Sequence, residues 1–246
     1  MKKLFCLTKR NIKEMLRDPL SLIFCLAFPV LMLVLMQAIF VNFEYAPDNF
    51  KIKNYASGIC VFGFTFVGMF VALQIAADKN TAFIKRLNIA PVGKFKYYLS
   101  FVFSALPIAF FQMVIFFLIS LCFGFPFDAN FVLSIIYLIP STLLYISLGI
   151  MIGVLCNNEK QTGPISSIFI SLVGILGGVF MPLSTLKGGF KTFVSILPFS
   201  HSISIASELQ SLGAKCIYPH ILYVLGYTIL FLLIAFIVEK VKARRR

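Results

Sequence analysis

The chain alternates long uncharged stretches with short charged ones. Six runs carry no Asp, Glu, Lys or Arg: Pro19 to Phe43, Asn54 to Ala77, Tyr97 to Phe127, Ala129 to Asn158, Gln161 to Leu186 and Cys216 to Val238. They hold 25, 24, 31, 30, 26 and 23 residues. A helix needs about 20 predominantly apolar residues to cross the hydrocarbon of a bilayer. The pattern therefore predicts an all-α integral membrane protein with six transmembrane helices, near 20–41, 55–77, 99–123, 131–155, 163–183 and 220–238. A seventh uncharged run, Thr192 to Ser207, has only 16 residues and holds Pro198, His201 and five serines. It is read as a re-entrant or surface-lying helical segment on the outer side, before the last span. A seventh crossing would move Lys240, Lys242, Arg244, Arg245 and Arg246 outside.

Ahead of the first span, residues 1–18 have a helical period. At 100° per residue, Leu4, Phe5, Ile12, Met15 and Leu16 share one arc of about 120°. Lys2, Lys3, Lys9, Arg10, Lys13 and Arg17 fall on the opposite arc. This predicts an interfacial helix on the cytoplasmic leaflet, its basic side toward anionic headgroups. Asp18-Pro19 ends it and turns the chain into the first span. The basic stretch and the long apolar run after it do not fit a cleavable signal.

Charge sets the orientation. With the N-terminus inside, segments 1–18, 78–96, 156–162 and 239–246 are cytoplasmic and carry 17 Lys and Arg, against 5 on the outer segments 42–54, 124–130 and 184–219. That asymmetry places both termini in the cytoplasm. The longest inner loop, Asp78 to Lys96, mixes Phe83, Ile84, Leu87 and Ile89 with Lys79, Lys85 and Arg86. It predicts a short helix parallel to the membrane, stopped before Pro91 and Gly93, with apolar side chains offered for docking.

Composition narrows the chemistry. The chain is 60% hydrophobic with 29 Phe, and only 13% is charged, so lipid must be its solvent. The net charge of +13 sits at the ends of spans and forms no aromatic-interleaved basic stripe, so it implies membrane lipid as a partner and no nucleic acid. Six cysteines form no CxxC pair and no metal-ligand spacing, and are read as small apolar fillers. Span prolines 29, 107, 140 and 164 are tolerated as kinks. Gly149 with Gly153, and Gly174 with Gly178, have the spacing that lets helices approach closely. Gln37, Gln74 and Gln112 are the larger polar side chains at membrane depth, and no ionisable residue lies at the centre of a span, which argues against proton coupling.

No phosphate-binding G-x-x-x-x-G-K-[ST] loop, H-E-x-x-H or G-x-S-x-G occurs, so no catalytic residue and no bound metal or cofactor is assigned. His201 and Glu208, seven residues apart, share a helix face and are the candidates for an acid–base pair. The same spacing also fits a polar stripe on an interfacial helix.

Four features in chain order resemble the membrane subunits, or permeases, of type-2 ABC transporters. The first is the amphipathic stretch ending in Arg17-Asp18-Pro19-Leu20, with Phe28-Pro29 beyond it; Asp18 stands where that family more often has Asn. The second is the inner loop with Lys85-Arg86-Leu87, Ala90-Pro91-Val92 and Tyr97-Tyr98-Leu99. The third is Gly177-Gly178-Val179-Phe180-Met181-Pro182, and the fourth Ile196-Leu197-Pro198-Phe199-Ser200-His201.

The resemblance covers nearly the whole chain, as one transmembrane domain over 1–246. It implies a dimer with a second copy or a close paralogue, driven by separate P-loop ATPase subunits that bind ATP and Mg. The chain itself would not be an enzyme. Residues Phe83, Ile84, Lys85, Arg86, Leu87 and Pro91 would contact the ATPase. The interfacial helix, with Leu4, Phe5, Ile12, Met15, Leu16 and Arg17, would brace that contact. Gly177, Gly178, Phe180, Pro182, Pro198 and His201 would shape the outer gate or dimer surface. Members of the family export drugs, peptides, lipid-linked glycans or polysaccharides, and the short outer loops fit the compact exporters. Residue usage, rich in Lys, Ile and Phe and without Trp, points to a bacterial cell membrane. The alternatives are a self-sufficient secondary transporter or channel, which would work without a nucleotide-binding partner, and a lipid-modifying enzyme using His201 and Glu208.

Overall fold

A computed structural model describes residues 2–40, 50–89, 93–181, 186–211 and 217–244, and all regular structure among them is helical. Eleven helices follow in order among the described residues: α1 (Lys2–Arg17), α2 (Pro19–Phe40), α3 (Ile52–Lys79), α4 (Ala82–Ile89), α5 (Lys94–Cys122), α6 (Ala129–Tyr137), α7 (Ile139–Leu155), α8 (Glu159–Leu176), α9 (Gly188–Ile196), α10 (Pro198–Ser211) and α11 (Tyr218–Arg244).

Among the described residues, five stretches are long and apolar enough to cross a membrane: Ser21–Phe40, Ile52–Lys79, Lys94–Cys122, Phe131–Leu155 and Tyr218–Lys242. The remaining expected span, 163–183, the fifth in chain order, is met by α8. That helix opens with the polar triplet Glu159-Lys160-Gln161, ends at Leu176, and does not reach the same apolar length. Its end is set by backbone geometry. Gly178 takes φ +92°, a conformation that side-chain-bearing residues avoid, and the Phe180 amide turns back to the Gly174 carbonyl at 3.2 Å.

The expected span over 131–155 is two helices. Pro140 stands in the first turn of α7 and has no N–H to give to Ile136, so α6 stops at Tyr137 and α7 starts afresh at Ile139. The Leu138 amide bonds back to Ser134 and the Thr142 amide to Leu138, which keeps the two pieces nearly continuous.

The core forms around α3. It packs on α7, α8, α2, α10 and α5, and nearly every side chain from Tyr55 to Ala76 is buried or half-buried. Its tightest contact is with α7. A Cβ on Gly149 would collide with the Gly68 backbone, and one on Gly68 with the Tyr145 carbonyl. The two backbones are therefore in direct contact, which is the packing that small residues permit between membrane helices. α11 covers the other side of α7. α2 and α11 keep large apolar side chains such as Phe24, Leu31, Ile229 and Leu233 exposed, as helices bordering lipid do.

Candidate functional site

The charged helix ends converge at one end of the bundle: α1, α4, the starts of α5 and α8, and the last turns of α3, α7 and α11. The geometry there begins with α1, which has three faces. Leu7, Asn11 and Met15, at i, i+4 and i+8, are buried against α5 and α2. Phe5 (72% exposed) and Leu16 stay outside, with Ile12 between them half-buried. Lys2, Lys3, Lys9, Lys13 and Arg17 are exposed on the third face.

This corrects the single apolar arc expected from periodicity. Met15 faces the protein, Leu4 is half-buried at that border, and only Phe5, Ile12 and Leu16 remain for lipid. Asn11, a polar residue, is fully buried because its Nδ2 donates to Ser100 Oγ at 2.9 Å on α5. Arg17 is exposed, as expected of the basic face.

Arg10 is the second correction. It does not face headgroups. Its Nη1 and Nη2 donate to the two carboxylate oxygens of Asp78 at 2.6 and 2.5 Å, and Nη2 also reaches Glu14 at 2.5 Å. Asp78 closes α3 and is 3% exposed. Tyr97 on α5 donates its hydroxyl to Asp78 Oδ2 at 2.8 Å. A buried carboxylate needs this complete set of partners to remain charged. Burial works against the Arg10 charge, but Asp78 and Glu14 outweigh it and hold its pKa above the ordinary arginine value. The guanidinium also lies 3.9 Å from the Phe83 ring centroid, a cation–π contact onto α4. Four helices, α1, α3, α4 and α5, thus meet at one ion pair.

α4 carries the expected docking residues, and its two sides differ. Phe83 and Ile84 are half-buried and Leu87 is buried, so Leu87 supports the helix from below instead of offering itself to a partner. Lys85, Arg86 and Ile89 are exposed, Ile89 to 88%. Pro91 lies outside the described residues.

Beneath α4 is a cleft of about 250 Å³ lined by Ile84, Leu87, Lys79, Lys94, Glu239 and Lys242, among others. Lys79 Nζ donates to the carbonyls of Gly153 (2.6 Å), Val154 (2.8 Å) and Cys156. Lys242 Nζ donates to Val154 and Leu155 at 2.9 and 2.8 Å. The last carbonyls of α7, which have no partner within their own helix, are therefore capped by two ammonium groups from α3 and α11. Glu239 ties α11 to α5, accepting from Lys94 at 2.5 Å and from the Tyr98 hydroxyl at 2.8 Å.

The third and fourth motifs meet at the opposite end. Gly177 is buried against Ile203 of α10. Phe180 packs edge-on to Phe62 at 5.3 Å. Pro198 opens α10. His201 does not pair with a carboxylate within the described residues. Its Nδ1 is 2.6 Å from Nδ1 of His220 on α11, and its ring stacks on Tyr223 with centroids 4.3 Å apart. Pro182 and the Glu208 side chain lie outside the described residues. Between the two ends, α2, α3 and α8 enclose an open groove of about 410 Å³, lined by Phe24, Phe66, Met69 and Phe70 with Ser21 and Ser167 at its rim. It holds no charged side chain.

Sequence reasoning missed Asp78, Lys79, Glu239 and Lys242 as structural partners. Each stands at the boundary between an apolar run and a charged segment, where it reads as an ordinary end-of-span charge. The contacts of Asp78 with Arg10 and of Lys79 with Gly153 cross 68 and 74 residues, and no local pattern carries that information. Compared with known families, residues 2–211 match the model described as ABC-2 type transporter. No curated protein matches the chain.

Proposed function

This chain belongs to the ABC-2 type transporter family, a multi-pass membrane family, and from that premise we propose that it is the permease subunit of an ATP-driven exporter. The observation that carries the reading is α4. It is a short helix at the charged end of the bundle, with Lys85, Arg86 and Ile89 exposed on one side and Phe83 and Leu87 packed into the bundle on the other. Such a helix offers a separate ATPase subunit a charged and apolar contact that is already seated on the spans.

In this proposal the charged end is cytoplasmic, as the excess of Lys and Arg there supports. The chain crosses the membrane six times with α8 as the fifth crossing, and α9 and α10 form the segment re-entering from outside. Two copies, or this chain and a paralogue, enclose the pathway in the cell membrane. The uncharged groove between α2 and α8 suits an apolar or amphipathic cargo at that shared face. ATP and Mg bind to the partner subunits, whose closure pushes on α4. The chain's own residues transmit the push: α4 bears on Arg10 through Phe83, and Arg10 on α3 through Asp78.

The test is purification of the tagged chain from its host membrane in mild detergent, with and without crosslinking, and identification of what accompanies it. A stoichiometric P-loop ATPase, lost on Lys85→Glu plus Arg86→Glu without loss of the folded permease, is the expected result. Isolation without any ATPase, even after crosslinking in the intact membrane, would sink the exporter reading and promote a gradient-driven carrier.

A further inference from the structure

The end of the bundle far from α4 holds both histidines of the chain, and the reading above gives their contact no role. We propose that His201 and His220 form a proton-sensitive latch, which holds α10 against α11 while at most one imidazole is charged and releases it when both are.

The geometry allows few protonation states. At 2.6 Å the two Nδ1 atoms share one hydrogen, so in the neutral pair one ring donates from Nδ1 and the other accepts. One added proton leaves an N–H between the rings and keeps the bond. A second added proton puts hydrogen on both Nδ1 atoms and a positive charge on both rings. The contact then becomes a repulsion between like charges across a hydrogen-bond distance.

The site resists that second charge from the His201 side. Nε2 of His201 is buried and no well-formed hydrogen bond reaches it, so a proton held there is poorly satisfied. Burial first, and His220 second, lower the His201 pKa from its ordinary value; the nearby Ser195 carbonyl opposes them in part. Among the described residues, the titratable groups around this end are Tyr218, Tyr223 and Tyr227 on α11, Tyr145 on α7, Lys51, Lys53 and Tyr55 at the start of α3, Asp128 before α6, and Lys187 and Lys191 beside and on α9. None of them is among the causes of the His201 shift.

The sign follows from linkage. A base whose folded pKa lies below its unfolded value binds fewer protons folded than unfolded, so the contact is intact above about pH 6.5, the unfolded histidine value. It weakens as pH falls below that through the folded value. Two imidazoles fall short of a closed metal site, and among the described residues no group of three or more His, Cys, Asp or Glu could hold an ion.

What the latch holds is α10. This helix packs on α3, α11, α6, α9 and α8, and its Ile203 contacts both Gly58 and Gly177. Releasing α10 from α11 therefore loosens the seat of the α8 terminus as well. Tyr227 donates to the Ile196 carbonyl at 3.0 Å and keeps α9 on α11, so the opening is local to α10.

The experiment uses the full-length chain in lipid nanodiscs with 13C-labelled histidine and needs neither cargo nor ATPase. Ring signals are followed from pH 8 to 5. In wild type each signal should move in two coupled steps. In His220→Gln, His201 should titrate in one step nearer the ordinary histidine range. Hydrogen exchange across residues 198–211, corrected for the intrinsic rate, should lose about tenfold protection between pH 7.5 and 5, the factor that one pK unit of interaction represents. Neither His201→Gln nor His220→Gln should show that loss. Because the two variants lie on different helices, failure of one to fold leaves the other to decide. Two independent single-step titrations with unchanged α10 protection would overturn the latch. So would stoichiometric Zn²⁺ moving both ring signals at neutral pH, which would assign the pair to a metal.

Discussion

Replacing Asp78 with alanine is expected to destabilise the folded chain by about 2–4 kcal/mol. The carboxylate is 4% exposed and accepts from two guanidinium nitrogens and the Tyr97 hydroxyl. Truncation leaves the buried Tyr97 hydroxyl without an acceptor, which costs about 1–3 kcal/mol. Removing one partner of a fully buried ion pair costs about 3–5 kcal/mol. Arg10, however, is 23% exposed and keeps Glu14, so its share falls below that range. Asp78→Asn, which retains an acceptor for Tyr97, should lose roughly half as much.

The assay is thermal unfolding in detergent, followed by reaction of a thiol probe with the buried Cys25, Cys60 and Cys156. A loss of about 3 kcal/mol corresponds to a midpoint roughly 6–12 °C lower for a chain of this length. A double-mutant cycle with Arg10→Met should give a coupling of about 1–3 kcal/mol. An unchanged midpoint for Asp78→Ala, or strict additivity in the cycle, would refute the claim that this pair fastens α1 to α3.

Lys79→Met should cost about 1–2 kcal/mol by uncapping the α7 carbonyls. Lys242→Met, acting on an overlapping set, should be less than additive with it in the same thermal assay. Gly149→Val should cost about 3 kcal/mol or more, because the added side chain meets the Gly68 backbone and cannot move aside; a well-folded Gly149→Val protein would contradict the α3–α7 contact. Lys85→Glu with Arg86→Glu should leave stability within about 0.5 kcal/mol of wild type, as both are exposed, yet abolish co-purification of an ATPase.

Period and charge in the sequence determined the helical class, the positions of most spans, the amphipathic α1 and the short α4. These are properties of single segments, since a helix satisfies its own backbone in lipid and needs only a long enough apolar run to do so. Even the break at Pro140 and the end of α8 at Gly177-Gly178 are local, because a missing N–H and a left-handed backbone need no distant partner. What only the tertiary structure decided is which side of each helix faces protein and which charges meet. Arg10 and Lys9 are alike in sequence, and only the arrival of Asp78 from α3 separates them. Leu87 and Ile89 are both apolar on α4, and one is buried while the other is bare. Spacing places His201 and Glu208 on one helix face, as an acid–base candidate or as part of a polar stripe, but it carries no sign of the contact with His220, 19 residues on and on another helix. Spacing ranks neighbours along one helix. Contacts between helices depend on how the bundle packs around α3, and the Gly68–Gly149 approach brings the surrounding helix ends within hydrogen-bonding reach.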